Sequence, residues 1–290
     1  MSTKIPTEYA EILSELVPPK EMADRYVHRD IHGKEDFTIF DFAMSEGLNI
    51  LLAGPTGAAK TTALYSYAAA RQIPIVNVAC HTAATPDTWK GTFTVNDEGH
   101  YEFTPTALLL VLRFGGVVVF DEVDRAPHGI SAAIHSLTDA RRTLDVEEAT
   151  GSRWPSVVTV HPETLIVGAY NRGYLGHMPL DEAFRNRWTL AIDWNYNDEV
   201  EAKLVNSENL RELAGKIRHS VAEAELITPV STNRLMEFER LCYSPLGWEF
   251  ACANFLELFL PEERKSVADL FELYRDKIMM DLFELPEEVA

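Results

Sequence analysis

The chain has 290 residues, of which 46% are hydrophobic and 24% charged, and its formal net charge is −19 at pH 7. This composition is ordinary for a globular protein of one large or two smaller domains. No apolar run is long enough to span a bilayer, and the acidic excess argues against a large nucleic-acid footprint because it would repel a polyanion.

The N-terminal residues and the cysteines favour a cytoplasmic protein. Residues 1–16 contain acidic side chains and lack the apolar segment of a signal peptide. Cys80, Cys242 and Cys252 fit no disulfide framework and no CxxC pair. We therefore expect a reducing, cytoplasmic setting.

Residues 1–47 are predicted to form an N-terminal extension. Helical patterns cover residues 7–16 and 36–46. Pro18 and Pro19 separate the two patterns.

Residues 48–196 alternate between strand and helix patterns. The strand-like runs are residues 49–53, 74–78, 117–120, 164–170 and 189–194, and the helical patterns between them cover residues 60–71, 106–113 and 129–141. The runs are almost continuously apolar, which is typical of parallel strands buried on both faces. We predict an α/β domain with a parallel sheet.

Residues 197–290 contain helical patterns without strand-like runs. Amphipathic patterns cover residues 198–206, 210–225, 232–243, 247–259 and 262–282. We predict a small all-helical domain that begins near residue 197.

The stretch GPTGAAKTT at residues 54–62 follows a strand pattern and precedes a helix pattern, as a phosphate-binding loop GxxxxGK[ST] requires. Lys60 would reach the β- and γ-phosphates, and the Thr61 hydroxyl would coordinate Mg²⁺. Ala59 replaces a glycine, and alanine is tolerated there if its φ is negative. The residues predicted to bind nucleotide are Gly54, Pro55, Thr56, Gly57, Ala58, Ala59, Lys60, Thr61 and Thr62.

The run VVVFDE at residues 117–122 ends a strand pattern in two carboxylates. Asp121 would lie beside the Mg²⁺, and Glu122 would be a general base for the attacking water. No NKxD-like motif for guanine is present, so ATP is favoured over GTP.

Polar residues further along the chain are candidates for the same reaction. Asn171 ends a strand run and could orient the attacking water, or it could cap a turn. Arg185 and Arg187 precede the last strand run and could stabilise transition-state charge in a neighbouring subunit, or they could form surface ion pairs. Arg234 follows a predicted N-cap at Ser231 or Thr232 and could contact the nucleotide, although a cation is poorly placed at a helix N-terminus.

In this order, the motifs resemble those of AAA+ ATPases. DEVDRAP at residues 121–127 is similar to a motif of the MoxR group, and AFRNRW at residues 183–188 resembles the paired-arginine finger of the CbbQ, dynein and midasin relatives. The resemblance implies a three-layer αβα sandwich whose parallel strands, numbered along the chain, lie in the order 5-1-4-3-2, followed by a helical lid. It also implies that Asn171 is sensor 1 and Arg234 is sensor 2, and that residues 26–29 pack near the adenine.

Two inserted hairpins support the resemblance to the MoxR group. Residues 91–105 alternate around a turn at residues 96–99, and residues 142–160 form a second hairpin pattern. In the family such hairpins face the substrate. The alternative is that both are ordinary surface hairpins.

The resemblance implies a Mg²⁺-dependent ATPase that forms a homo-oligomeric ring, a hexamer, and acts on a partner protein, which in the family often carries a von Willebrand factor A domain. A nucleic-acid motor of the same fold is the first alternative. The hairpin regions disfavour it because their basic residues Lys90, Arg141, Arg142 and Arg153 are outnumbered by Asp97, Glu98, Glu102, Asp145, Glu147 and Glu148. A nucleotide-binding scaffold without hydrolysis, with Ala59 a sign of decay, is the second alternative.

Overall fold

A computed structural model describes residues 5–80, 87–95, 99–172, 180 and 182–283. The chain divides into two compact units, one of Met1–Pro55 with Ala59–Asn195 and one of Thr56–Ala58 with Tyr196–Ala290. The first 47 residues, predicted as an extension, thus belong to the same compact unit as the sheet. The tip of the predicted phosphate loop belongs to the helical unit.

The described residues contain eleven strands. They are β1 (Asp30–Ile31), β2 (Lys34–Glu35), β3 (Ile50–Gly54), β4 (Ile75–Ala79), β5 (Gly91–Val95), β6 (Tyr101–Pro105), β7 (Gly116–Asp121), β8 (Thr143–Asp145), β9 (Val157–Thr159), β10 (Thr164–Asn171) and β11 (Leu190–Asp193). The five strand runs predicted from the sequence correspond to β3, β4, β7, β10 and β11.

The described residues also contain thirteen α-helices. They are α1 (Thr7–Glu15), α2 (Glu21–Asp24), α3 (Asp36–Ser45), α4 (Lys60–Arg71), α5 (Asp87–Lys90), α6 (Ala107–Phe114), α7 (His128–Thr138), α8 (Glu182–Arg185), α9 (Asp198–Leu204), α10 (Glu208–Ala222), α11 (Thr232–Cys242), α12 (Gly247–Glu257) and α13 (Arg264–Phe283). Among the described residues, none of these helices combines the length and apolar character that crossing a membrane requires.

The central sheet is parallel, and its strand order β11-β3-β10-β7-β4 confirms the predicted order. β10 lies between β3 and β7, with Asn171 paired to Gly54 on one side and Ala169 paired to Asp121 on the other. The carboxyl ends of these three strands therefore bring Gly54, Asp121 and Asn171 to one edge of the sheet.

Both faces of the sheet are covered by apolar side chains. Leu51, Val118 and Phe120 on one face belong to the same buried cluster as residues of α6 and α7. Because successive side chains of a strand point to opposite faces, Val119 faces the other way, and α3 and α4 contact the sheet at β10 and β7. This layering explains why the strand runs are apolar throughout.

The helical unit has a separate core. Leu213, Phe238, Phe255 and Phe271 are buried in it. Ser231 is the N-cap of α11, since its Oγ accepts a hydrogen bond of 3.4 Å from the backbone N–H of Arg234. This cap satisfies one of the backbone donors that a helix N-terminus leaves without an intrahelical partner.

The two inserted regions each contain an antiparallel strand pair. β5 pairs with β6, and β8 pairs with β9. These are the two predicted hairpins, although part of the first turn, residues 96–98, lies outside the described residues. In the second, a 3-10 turn at Glu147–Ala149 follows β8.

Candidate active site

The predicted phosphate loop forms the turn between β3 and α4. β3 ends at Gly54 and α4 begins at Lys60. Gly57 and Ala59 have positive φ angles of 72° and 64°. Left-handed residues of this kind occur in backbone nests, whose N–H groups turn toward a bound anion.

Ala59 departs from the prediction made for it. From the sequence we took alanine to be tolerated there if its φ is negative, and that condition is not met because the residue has φ 64° and ψ 30°. The left-handed conformation costs an L-residue with a Cβ atom roughly 1–2 kcal/mol. The replaced glycine therefore leaves conformational strain at the start of α4.

Lys60 is buried among three oxygen acceptors. Its Nζ donates hydrogen bonds to the carbonyls of Gly54 and Pro55, both at 2.9 Å, and to Oδ1 of Asn171 at 2.8 Å. Burial lowers the pKa of Lys60 to about 8, and the charge of Asp121 opposes the shift. A bound phosphate would favour the charged form, so the residue is suited to an anionic ligand.

Asp121 ends β7 in an acidic environment. Burial raises its pKa, a hydrogen bond of 2.9 Å from the backbone N–H of Glu122 opposes the rise, and the charge of Glu122 adds to it. Burial and the carboxylates of Asp121, Asp124 and Glu122 also raise the pKa of Cys80 to about 12. A carboxylate held in this setting fits a divalent cation, which would favour its ionised form.

Glu122 has a left-handed backbone with φ 55°. Its Oε1 accepts a hydrogen bond of 3.1 Å from Nη1 of Arg125, and both side chains are partly exposed. We did not single out Arg125 or Asp124 from the sequence. Their position within three residues of Glu122 in DEVDRAP was the available signal.

The two predicted finger arginines lie near the start of β11. α8 ends at Arg185, so Arg187 lies after the end of the helix. Arg187 donates to the carbonyl of Ala183 at 2.5 Å, and Arg185 is exposed. Among the hydrogen bonds of the described residues, none joins either arginine to Lys60 or Glu122.

Arg234 lies in the first turn of α11 in the helical unit. Its guanidinium donates to the carbonyls of Pro229 at 3.3 Å and Leu258 at 3.5 Å, and Cζ is 5.8 Å from the centre of the Phe259 ring. Leu258 is the C-cap of α12. The unfavourable position at one helix N-terminus is thus offset by the partial negative charge at another helix C-terminus.

The segment expected near the adenine, residues 26–29, is organised by the buried carboxylate of Asp36. Tyr26 Oη donates to it at 2.5 Å, and Nδ1 of His28 lies 3.0 Å from it. Arg29 donates to the carbonyl of Asn195 at 2.6 Å, with Cζ 4.7 Å from the centre of the Trp194 ring. These contacts connect the segment to the end of β11.

The first hairpin exposes apolar side chains. Phe93, Val95 and Tyr101 are exposed to 44%, 59% and 78%. Lys90, at the base of this hairpin, forms an ion pair of 2.9 Å with Glu148 of the second insert. Arg142 is also engaged, because its guanidinium donates to the carbonyls of Gly47 and Thr164.

Comparison with known proteins finds a family similar to the sheet domain. Residues 49–188 match the family model of the AAA domain, dynein-related subfamily. The match includes the phosphate loop, the acidic strand, Asn171 and the two arginines before β11. It ends before Tyr196, where the C-terminal part of the helical unit begins.

Curated proteins of similar sequence extend the comparison. The denitrification regulatory protein NirQ of Pseudomonas aeruginosa is 27% identical over 249 residues, which cover 82% of this chain and 93% of that protein. The protein CbbQ of Hydrogenophilus thermoluteolus is 31% identical, covering 59% of this chain and 62% of that protein. The protein NorQ of Paracoccus denitrificans is 29% identical, covering 63% of this chain and 70% of that protein.

Proposed function

Because residues 49–188 match the family model of the AAA domain, dynein-related subfamily, we propose that the protein hydrolyses ATP with Mg²⁺ as a ring and acts on a partner protein. The observation that carries the proposal is the hydrogen bond between Lys60 Nζ and Asn171 Oδ1. It joins the phosphate loop to the end of β10, next to the carboxylate that ends β7.

The chain contains groups suited to the nucleotide and the metal. Backbone N–H groups of residues 54–62 and the ammonium of Lys60 would bind the phosphates. The hydroxyl of Thr61 and the carboxylate of Asp121 would hold Mg²⁺, because this ion prefers oxygen ligands. When bound, the metal would neutralise negative charge on the phosphates.

The reaction requires a positioned water and a base. Glu122 would accept the proton of the attacking water. Asn171 would orient that water and keep Lys60 directed at the phosphates. In this reaction class positioning and charge neutralisation supply most of the catalysis, so these groups account for the main requirements within one subunit.

A neighbouring subunit would complete the site. Arg185 is exposed, and the guanidinium of Arg187 donates to the carbonyl of Ala183, one turn earlier in the chain. An arginine supplied in trans can stabilise transition-state charge. We therefore propose a homo-oligomeric ring, a hexamer, in which Arg185 and Arg187 face the nucleotide of the next subunit. Arg234, on the helical lid, would contact the nucleotide of its own subunit.

The partner would be a protein. The name of NirQ describes a regulatory protein of denitrification, and the resemblance to the MoxR group favours a partner with a von Willebrand factor A domain. The exposed Phe93, Val95 and Tyr101 supply an apolar surface for such a partner. The engagement of Lys90 and Arg142 with groups of this chain disfavours the nucleic-acid alternative.

Steady-state ATP turnover of Glu122→Gln tests the proposal. The variant should lose at least about 100-fold in turnover because the general base is removed, while binding of ATP persists. Glu199→Gln, at an exposed position in the first turn of α9, is the control and should retain wild-type turnover. Unchanged turnover in Glu122→Gln would contradict the assignment and favour a scaffold that binds nucleotide without hydrolysis.

A further inference from the structure

The tip of the phosphate loop belongs to the helical unit through specific contacts. Tyr196 Oη donates a hydrogen bond of 2.8 Å to the carbonyl of Thr56. The next residue, Gly57, has φ +72°, and a Cβ atom built on it would lie 2.4 Å from Cβ of Ser231. Thr56, Gly57 and Ala58 accordingly group with residues 196–290.

Tyr196 is in turn held by a buried ion pair. The guanidinium carbon of Arg218 lies 3.8 Å from the centre of the Tyr196 ring. Arg218 donates two hydrogen bonds to Glu201, at 2.7 and 2.9 Å, and a third of 2.8 Å to the carbonyl of Val230. The two charged side chains are only 14% and 2% exposed, and paired hydrogen bonds of this kind impose a specific geometry.

The same ion pair positions the start of α11. The Thr232 hydroxyl donates to Glu201 Oε1 at 2.5 Å. Ser231, the residue that Gly57 approaches, lies between Val230 and Thr232, and both of these contact the ion pair. The Arg218–Glu201 ion pair therefore holds both residues that lie against the loop tip, Tyr196 and Ser231.

The hydrogen bond from Tyr196 to the carbonyl of Thr56 sets the direction in which the N–H of Gly57 points. In a planar trans peptide, the carbonyl of Thr56 and the N–H of Gly57 point in opposite directions. N–H groups of such loops bind phosphate. Holding the carbonyl with Tyr196 therefore fixes the N–H of Gly57 on the other side of the peptide.

We propose that Tyr196 is a positioning residue for phosphate binding, and that the Arg218–Glu201 ion pair keeps it in place. The inference rests on the proposed function, because it assigns a support to the loop that binds ATP. The motifs recognised in the sequence include none of these three residues.

Equilibrium binding of ATP, ADP and pyrophosphate to Tyr196→Phe tests the inference. The variant keeps the ring over Arg218 and removes the donor to Thr56. We expect the dissociation constant of all three ligands to rise about three- to tenfold, the value of one hydrogen bond. The KM for ATP should rise likewise, with kcat within about twofold of wild type, because no group of the chemical step is altered.

Tyr243→Phe is the matched control. Tyr243 also lies in the helical unit, and its hydroxyl donates at 3.0 Å to the carbonyl of Leu282. It should bind all three ligands as tightly as wild type. Arg218→Lys retains the charge but loses the stacking and the paired geometry, and should weaken binding in the same direction as Tyr196→Phe.

The outcomes separate this inference from the proposed function. Wild-type affinity in Tyr196→Phe, or an equal loss in Tyr243→Phe, would overturn the positioning role and leave the ATPase proposal standing. A wild-type protein that binds none of the three ligands would overturn the proposed function and this inference with it. A loss for ATP without a loss for pyrophosphate would also contradict the inference, since the effect would then lie away from the phosphates.

Discussion

Lys60 and Asn171 are 111 residues apart in the chain, and a hydrogen bond of 2.8 Å joins the Nζ of one to the Oδ1 of the other. The contact exists because β10 is inserted between β3 and β7. It places the amide of Asn171 beside Lys60, the one positively charged side chain among residues 54–62. Predictions about catalysis follow from this contact and from the backbone around it.

Replacing Asn171 by alanine should impair the chemical step more than binding. Without its amide, the attacking water loses an orienting group, and Lys60 loses one of its three acceptors. We expect kcat for ATP to fall by about 100-fold and KM to change by less than about threefold. Steady-state kinetics would show this, and Asn254→Ala on α12 should retain wild-type values.

Opposite substitutions at two positions of the phosphate loop should have opposite effects. Ala59→Gly removes the strain of a left-handed alanine and should raise the free energy of unfolding by about 1 kcal/mol. Gly57→Ala adds strain at φ +72° and a collision with Ser231, and should lower the free energy of unfolding by roughly 2 kcal/mol or more. Urea unfolding of both variants measures the difference. An Ala59→Gly variant less stable than wild type would contradict the left-handed assignment.

ATP binding should take up protons above neutral pH. Burial lowers the pKa of Lys60 to about 8, so near pH 8 about half of the free protein has lost this proton. Anionic phosphates favour the charged ammonium and raise the pKa on binding. Uptake should therefore grow from near zero at pH 7 toward about one proton per site at pH 9.

Calorimetric titrations in buffers of different ionisation enthalpy measure this uptake. ATP itself is deprotonated between pH 8 and 9, so the change in that interval reports the protein. Proton release on binding, or an uptake that does not change with pH, would show that Lys60 is already fully charged in the free protein.

Mixing two inactive variants tests whether the arginines act in trans. Lys60→Ala removes the lysine that would bind phosphate and keeps Arg187. Arg187→Ala removes that arginine and keeps Lys60. If Arg187 serves the neighbouring subunit, a mixture should recover a measurable part of wild-type turnover, because some interfaces combine an intact loop with an intact arginine. Turnover of the mixture equal to the sum of the separate variants would place Arg187 outside the neighbouring site.

The sequence predicted the elements that are long or strongly patterned. The five apolar runs were identified because strands buried on both faces are apolar throughout. The helices of ten or more residues were identified because burial of one face imposes a period on them. Short elements such as α2, α5 and the β1–β2 pair were missed, since two to four residues contain no period. The strand order followed from the resemblance and not from the periodicity.

The backbone angles of the phosphate loop and the contacts of Tyr196 with its tip were harder to predict from the sequence. The backbone angle of Ala59 depends on the turn that connects β3 to α4, and a single residue type does not determine it. Tyr196 and Thr56 are 140 residues apart. Neither Tyr196 nor Arg218 belongs to a motif with a known spacing, so only the folded chain brings them together.

ATP turnover per subunit, measured against protein concentration with Glu122→Gln as the control, tests the central claim most directly. The account predicts turnover that rises steeply with concentration, since the site is completed by a neighbouring subunit, and that vanishes in Glu122→Gln. Turnover per subunit that stays constant across concentrations and persists in Glu122→Gln would contradict it.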